Sequence, residues 1–436
     1  MPLNDKKAIF GWSMYDWANS AFATTIIAGF FPVFFKEYWN PGVDATVSTA
    51  RLGLANSLAG LIVAAMAPIL GAIADRGTAK KRFLIFFAYM GLLSTSGLFL
   101  VSHGNWLLAM VLYIFGSIGF TGANVFYDAL LTLVVSEDKM DVISALGYSL
   151  GYLGGGVLFA LNLWMYKNPQ TFGFADGVSA VRFSFLSVGI WWALFSIPVI
   201  LFVKEPQQER AASGGNMIAG GFRQLKSTFQ EIRHLKMIGL FLAAYWLYID
   251  GVDTIVRMAV DYGLSLGFDT ANLIQALLLT QFVGFPAAIS FGFLGKKIGA
   301  KRAIFLAIGV YLFISIWAAF MQHKYEFYLL AVIIGLVQGG IQSLSRSFYA
   351  RIIPADKSAE YFGFYNMLGK FAAILGPLLM GGVGLVIRSL GYSSDTASRI
   401  SLTSLSLLFL GGAMLFYFVD EEKGKEDMKY LSGKEG

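Results

Sequence analysis

Six ionisable residues lie inside long apolar stretches of this 436-residue chain, where lipid or packed protein would surround them. They are Asp16, Asp128, Asp250, Asp253, Arg257 and Lys370. A charge at the centre of a bilayer costs roughly 2.5 kcal/mol or more, so a functional role is the first interpretation of each. A desolvated carboxyl group also takes up a proton more readily than one in water, so these aspartates could carry protons.

Further polar residues recur around these charges at helical spacing. The stripes are Asp16, Asn19 and Ser20; Asn124 and Asp128; Asp250, Asp253, Thr254 and Arg257; Gln338 and Gln342, with Arg346 one turn on; and Asn366 and Lys370. Residues three and four apart share a helix face. Stripes that all faced lipid would be untenable, so we expect them to converge on one central polar cavity. The alternative is a set of structural pairs, such as an Asp253–Arg257 pair within one helix.

Helices that cross a membrane would position these stripes. The chain is 56% hydrophobic and only 14% charged, with a mean hydropathy of +0.63, whereas soluble domains carry about 25% charged residues. Twelve apolar windows are long enough to span a bilayer: 9–37, 52–74, 83–102, 105–135, 142–166, 182–203, 236–261, 271–295, 302–321, 326–350, 361–388 and 400–419. Their continuous apolar character predicts helices rather than a barrel.

Several classes of protein are excluded by composition. The chain has no cysteine and three histidines, so disulfides, thiolate catalysis and Cys-ligated metals are excluded. We expect no metal and no cofactor. The glycine-rich string GYLGGG (151–156) lacks the GK[ST] ending of a nucleotide loop, and no nucleophile or His-rich constellation supports an enzyme. The net charge is +6, and the basic residues lie in short loops between apolar spans. This pattern favours a lipid surface over nucleic acid as the binding partner.

Charge and polarity also predict orientation and domain organisation. Most of the 33 Lys and Arg residues, with Arg346 and Arg351 counted among them, fall on the side of both termini, which predicts that both termini are cytoplasmic.

The longest polar stretch divides the spans six and six. We therefore predict bundles at 1–203 and 236–420, a linker at 204–235 and a tail at 421–436. The linker is either a plain tether or, in its second half, an amphipathic helix.

An internal repeat supports this division. Trp12, Asp16, Asn19 and Ser20 correspond, at one constant separation, to Trp246, Asp250, Asp253 and Thr254. The loops GAIADRGTAKKR (71–82) and GFLGKKIGAKR (292–302) form a second pair. Two matching six-helix halves in parallel are typical of the major facilitator architecture.

The first of these loops resembles the conserved loop motif of the major facilitator superfamily. Its residues are Gly71, Asp75, Arg76, Lys80, Lys81 and Arg82. The glycine permits close helix approach, the aspartate can accept hydrogen bonds from a helix N-terminus, and the basic cluster faces anionic lipid. The resemblance implies a gating latch; a merely topogenic basic loop is the alternative. The second copy has Gly295, Lys296 and Lys297 where Asp-Arg would stand, so a latch there would be weaker or built differently.

The whole chain resembles the autophagy-related vacuole effluxer family within that superfamily. The resemblance rests on GWSMYDWANSAFATTI (11–26), YWLYIDGVDTI (245–255), QFVGFPAAISFGFLGKKIGAKRA (281–303), GLVQGGIQSLSRSFYARIIP (335–354) and EYFGFYNMLGKFAAILGP (360–377). The chain looks like the compact bacterial branch. The resemblance implies export, because fungal members are linked to export of amino acids from the vacuole.

These observations predict an all-α membrane protein of twelve helices in two pseudo-symmetric bundles. We expect a monomeric secondary transporter in a bacterial inner membrane that exports amino acids or related small polar metabolites, with proton coupling as a hypothesis. No ATP-binding motif is present, so a gradient must supply the energy. Open alternatives are a broad-specificity peptide, sugar or drug transporter of the same fold, and a receptor or scaffold without transport.

Overall fold

The computed structural model describes residues 2–43, 45–77, 79–205, 235–265, 270–321 and 323–432. The predicted linker 204–235 lies almost entirely outside these residues. The helices are α1 (Lys6–Trp39), α2 (Ala45–Gly77), α3 (Lys80–Gly97), α4 (Trp106–Val134), α5 (Met140–Lys167), α6 (Gly177–Phe202), α7 (Lys236–Ser265), α8 (Thr270–Ile298), α9 (Ala300–Trp317), α10 (Lys324–Ile352), α11 (Ser358–Ser389), α12 (Ser394–Ser404 and Ser406–Tyr417) and α13 (Glu421–Ser432). In α1, Phe22–Phe30 and Phe35–Trp39 are π-helical.

Eleven of these helices are long and apolar enough to cross a membrane, and α11 adds the apolar stretch Leu375–Ser389. Helices satisfy every backbone hydrogen bond internally, which a lipid-exposed segment requires. Large apolar side chains on their outer faces, such as Leu93 and Leu385, are exposed, as expected where lipid replaces water. The predicted fold of twelve membrane-spanning helices is confirmed, and the protein is a multi-pass integral membrane protein.

Both ends of the described chain lie on one face of the molecule. The backbone N–H of Asn4 donates to the carbonyl oxygen of Val134 at the end of α4. The Lys425 ammonium on α13 lies 3.1 Å from a carboxylate oxygen of Glu137, just before α5. We call this side the terminal face.

The six-helix bundles α1–α6 and α7–α12 meet mainly through the pairs α2–α11, α5–α8, α5–α10 and α4–α11. Near the terminal face, the close approach of α2 to α11 requires glycine. A methyl group on Gly71 would collide with the carbonyl oxygen of Ala359, and one on Gly363 would lie 2.7 Å from the Cα of Pro68. The two bundles are therefore in direct backbone contact at the terminal face.

Candidate functional site

Arg346 on α10 joins the two bundles through a buried set of hydrogen bonds and ion pairs. Only 1% of Arg346 is exposed. Its Nη1 lies 3.1 Å from Oδ1 of Asp128 on α4, and its Nη2 lies 3.6 Å from Oδ2 of Asp16 on α1. Its Nε donates to Oγ of Ser144 on α5 at 2.9 Å, and its Nη2 donates to the Ser144 carbonyl oxygen at 2.8 Å. One guanidinium of the second bundle thus contacts three helices of the first.

Neutral side chains also donate hydrogen bonds to the two carboxylates. The Tyr127 hydroxyl donates to Oδ2 of Asp16 at 2.7 Å. The Asn366 amide on α11 donates to Oδ2 of Asp128 at 3.1 Å. Asp128 therefore has two partners from the opposite bundle. We call Asp16, Tyr127, Asp128, Ser144, Arg346 and Asn366 the inter-bundle cluster.

Aromatic rings form the walls around the guanidinium. Its central carbon lies 4.9 Å from the ring centroid of Trp12, 5.3 Å from that of Tyr127 and 4.4 Å from that of Tyr148. The negative face of an aromatic ring attracts a cation at such distances. Gly147 permits this packing, because a methyl group there would lie 2.5 Å from a carboxylate oxygen of Asp16.

Among the described side chains, the inter-bundle cluster contains more negative than positive groups. Two carboxylates share one guanidinium, so the cluster carries one net negative charge when both are ionised. The side chain of Asp16 is 12% exposed and that of Asp128 is 9% exposed. Buried charges require good partners to offset lost hydration. An additional proton or a cation would balance the cluster.

Other predicted site residues lie in separate contacts. The Asn19 amide donates to Oδ1 of Asn124 at 2.6 Å, between α1 and α4. The Tyr152 hydroxyl lies 3.5 Å from Oε1 of Gln342, and Gln338 is half-buried.

The carboxylate that corresponds to Asp16 in the second half has a different environment. Oδ1 of Asp250 accepts from the backbone N–H of Gly376 on α11 at 2.9 Å and from Thr254 at 3.2 Å. Asp253 is half-buried. The side chains of Arg257 and Lys370 lie outside the described residues. The described part of the chain thus brings together the stripes of Asp16, Asp128 and Asn366, whereas Asp250 binds within its own bundle.

The predicted gating loop lies between the bundles on the terminal face. Asp75 accepts from the backbone N–H groups of Ala359 and Glu360 at 3.1 and 2.8 Å, which is the N-terminus of α11. The Lys80 ammonium lies 2.9 Å from Oδ1 of Asp75. Lys81 instead donates to the Val203 carbonyl oxygen at 2.8 Å. Arg82 is exposed, and the side chain of Arg76 lies outside the described residues.

A different contact occupies the corresponding position in the other half. Gly292 of α8 packs against α5, Gly295 packs against Leu344 of α10, and the carboxylate near Gly295 is that of Asp141 on α5. Its Oδ1 lies 2.6 Å from Nη1 of Arg351 and accepts from the Ser347 hydroxyl at 2.5 Å. Arg351 also binds Glu421 on α13 at 2.7 Å. The missing aspartate at the second loop is thus matched by an acidic residue on the partner helix.

The sequence does not identify Arg346 as the centre of the inter-bundle cluster. The charge pattern counts it among the basic residues of the terminal side, whereas its place one turn beyond Gln342 on a polar stripe is the signal that agrees with its burial between the bundles. Tyr127, Ser144 and Tyr148 are uncharged, and a hydroxyl group in an apolar helix most often bonds to its own backbone, so their sequence positions do not indicate a site.

Fold and site together define a transporter of the major facilitator type. The chain belongs to the family described as vacuole effluxer Atg22 like, whose model matches residues 4–429. It is 39% identical over 413 residues to the MFS-type transporter YxiO of Bacillus subtilis (strain 168), covering 94% of each chain. It is 24% identical over 553 residues to autophagy-related protein 22 of Coccidioides immitis (strain RS), covering 98% of this chain and 89% of the relative.

Solved structures share the fold at low identity. The proton:xylose symporter XylE, bound to 6-bromo-6-deoxy-D-glucose, superposes with a TM-score of 0.71 at 14% identity. The match covers 98% of this chain and 97% of XylE. At this identity the likeness establishes the architecture alone.

Proposed function

We propose that this protein is a secondary transporter that exports amino acids or related small polar metabolites by alternating access. The observation that carries the proposal is the Asp16–Arg346–Asp128 arrangement, which places both charge signs between the two bundles. A zwitterion offers a complementary pair of charges, whereas an apolar drug would leave them desolvated. The family description as an effluxer supports export.

The moving bodies in this proposal are residues 1–203 and 236–420, connected by 204–235. They rock about the inter-bundle cluster, so that the site opens to one side at a time. The basic loops on the terminal face support a cytoplasmic location for both termini in a bacterial inner membrane. An inward proton gradient supplies the energy, with Asp16 as the proton-carrying group.

Transport by the purified protein in proteoliposomes tests this proposal. Counterflow of radiolabelled amino acids measures exchange without a gradient, and an imposed pH gradient measures driven transport. Asp16→Asn should abolish driven transport and leave counterflow measurable. Asp176→Asn is the matched control, because Asp176 is an exposed aspartate that accepts from the backbone N–H of Ser179 and so caps the N-terminus of α6. Driven transport that survives in Asp16→Asn contradicts proton coupling, and the absence of all counterflow contradicts amino-acid transport.

A further inference from the structure

Six residues of the first bundle surround the cationic guanidinium of Arg346. They are Trp12, Asp16, Tyr127, Asp128, Ser144 and Tyr148, from α1, α4 and α5. We call these six residues the cation box. They offer two carboxylates, a hydroxyl and a carbonyl oxygen, and three aromatic faces. Acceptors and ring faces in this combination favour a positively charged guest.

The cation box is held together by bonds inside its own bundle. The indole N–H of Trp12 donates to the carbonyl oxygen of Tyr127 at 2.9 Å, and the two rings stack with centroids 4.5 Å apart. The Tyr127 hydroxyl in turn fixes Asp16. These bonds do not involve the second bundle, so they hold Trp12, Tyr127 and Asp16 in place when the bundles separate.

In this structure the cation in the box is the Arg346 guanidinium, which belongs to the opposite bundle. Alternating access at the terminal face must break the contacts of α10 with α4 and α5, which withdraws Arg346 from the box. Two carboxylates and three aromatic faces then line the opened cavity without a cation between them. Water can solvate the carboxylates there, but a cationic group of the solute restores the ion pairs and the contacts with the rings.

We propose that the cation box binds the ammonium or guanidinium group of the transported solute whenever Arg346 has withdrawn. This inference rests on the proposed function and specifies its substrate class as solutes that carry a cationic nitrogen group. Arg346 and the solute occupy one site alternately. A ligand that competes with Arg346 stabilises the state in which the terminal face is open.

A single thiol reports on that state, because the chain has no cysteine of its own. Ser358 on α11 is buried, and its hydroxyl donates to the carbonyl oxygen of Ala129 on α4 at 3.3 Å, across the bundle interface. In the Ser358→Cys protein in nanodiscs, the rate of maleimide labelling follows opening of the terminal face. The probe is agmatine, a guanidinium compound without a carboxylate, and glutarate is the anionic control.

Agmatine at about ten times its dissociation constant for the open state should raise the labelling rate about tenfold. Glutarate should leave the rate unchanged, and Asp128→Asn should remove the agmatine effect. A rate that agmatine does not change overturns the proposal, as does an equal effect of glutarate or an agmatine effect that persists in Asp128→Asn. Amino-acid counterflow by the same purified protein in proteoliposomes separates the two claims. Counterflow without an agmatine effect overturns the cation box alone, and an agmatine effect without counterflow overturns the proposed transport alone.

Direct binding provides a second measurement. Arg346→Gln removes the competing guanidinium, so agmatine should bind this variant about tenfold or more tightly than the unmodified chain. Arg346→Lys serves the same purpose if the glutamine variant does not fold, because its shorter ammonium competes less well. Equal agmatine affinity in the unmodified chain and the folded variant contradicts a shared site.

Discussion

Nη1 of Arg346 on α10 lies 3.1 Å from Oδ1 of Asp128 on α4, so a buried ion pair connects the two six-helix bundles. Asn366 on α11 adds a second bond from the same bundle to the same carboxylate. Separation of the bundles therefore changes the charge balance of the site, not only its accessibility.

Removal of the guanidinium should destabilise the protein more than removal of the whole ion pair. Arg346→Gln leaves Asp16 and Asp128 buried without a cation, and we expect the free energy of unfolding to fall by about 3–5 kcal/mol. The double variant Arg346→Gln, Asp128→Asn should recover part of that loss, since only one carboxylate then remains. Thermal denaturation in detergent measures both. A single variant as stable as the unmodified chain would contradict the buried pair.

Loss of the Asp75 carboxylate should open the terminal face. Asp75→Ala leaves two N–H groups at the start of α11 without their acceptor, and the loss of such a cap weakens the contact by about 1 kcal/mol. The closed population should fall roughly fivefold relative to the open one. Nitroxide labels on Lys139→Cys and Asp356→Cys, which are exposed on the terminal face of opposite bundles, measure the change as a longer distance. Asp176→Ala is the matched control, because that cap lies within one helix and should not change the distance distribution.

Three ionic contacts of the C-terminal region should stabilise the protein in the order of their burial, with the most buried contact contributing most to the free energy of unfolding. The side chain of Arg351 is 7% exposed and binds both Asp141 and Glu421, whereas Glu137, a partner of Lys425, is 61% exposed. We expect Arg351→Gln to lower the free energy of unfolding by about 3 kcal/mol or more. Lys425→Gln should lower it by less than about 1 kcal/mol, with Glu421→Gln between them. Denaturation of the three variants checks the order, and a Lys425 effect as large as that of Arg351 would refute it.

Glycine contacts near the terminal face should be intolerant of a single methyl group. Gly71→Ala places that group against the carbonyl oxygen of Ala359, so α2 must move away from α11. The same nitroxide pair should then report a larger open population. Gly60→Ala on the same helix meets no atom within 4 Å and should be neutral or stabilising by up to about 1 kcal/mol. Equal effects of the two substitutions would show that helix propensity, rather than packing, governs the response.

The amino-acid sequence by itself determined the membrane class, the twelve helices and the matching halves. Hydropathy is a local property, and a continuous apolar window has one stable structure in lipid, so no long-range information was needed. The sequence also indicated Asp16, Asp128 and Asn366, because polar residues at bilayer depth are costly wherever they pack.

Only the tertiary structure decided which of these residues meet. Arg346 and Asp128 are 218 positions apart in the chain, and their contact depends on how α4, α5 and α10 pack at the bundle interface. The internal repeat predicts similar environments for Asp16 and Asp250, yet one binds across the interface and the other binds the backbone of α11. Helical spacing fixes the face on which a side chain lies, but the partner of that face is set by the packing of distant helices.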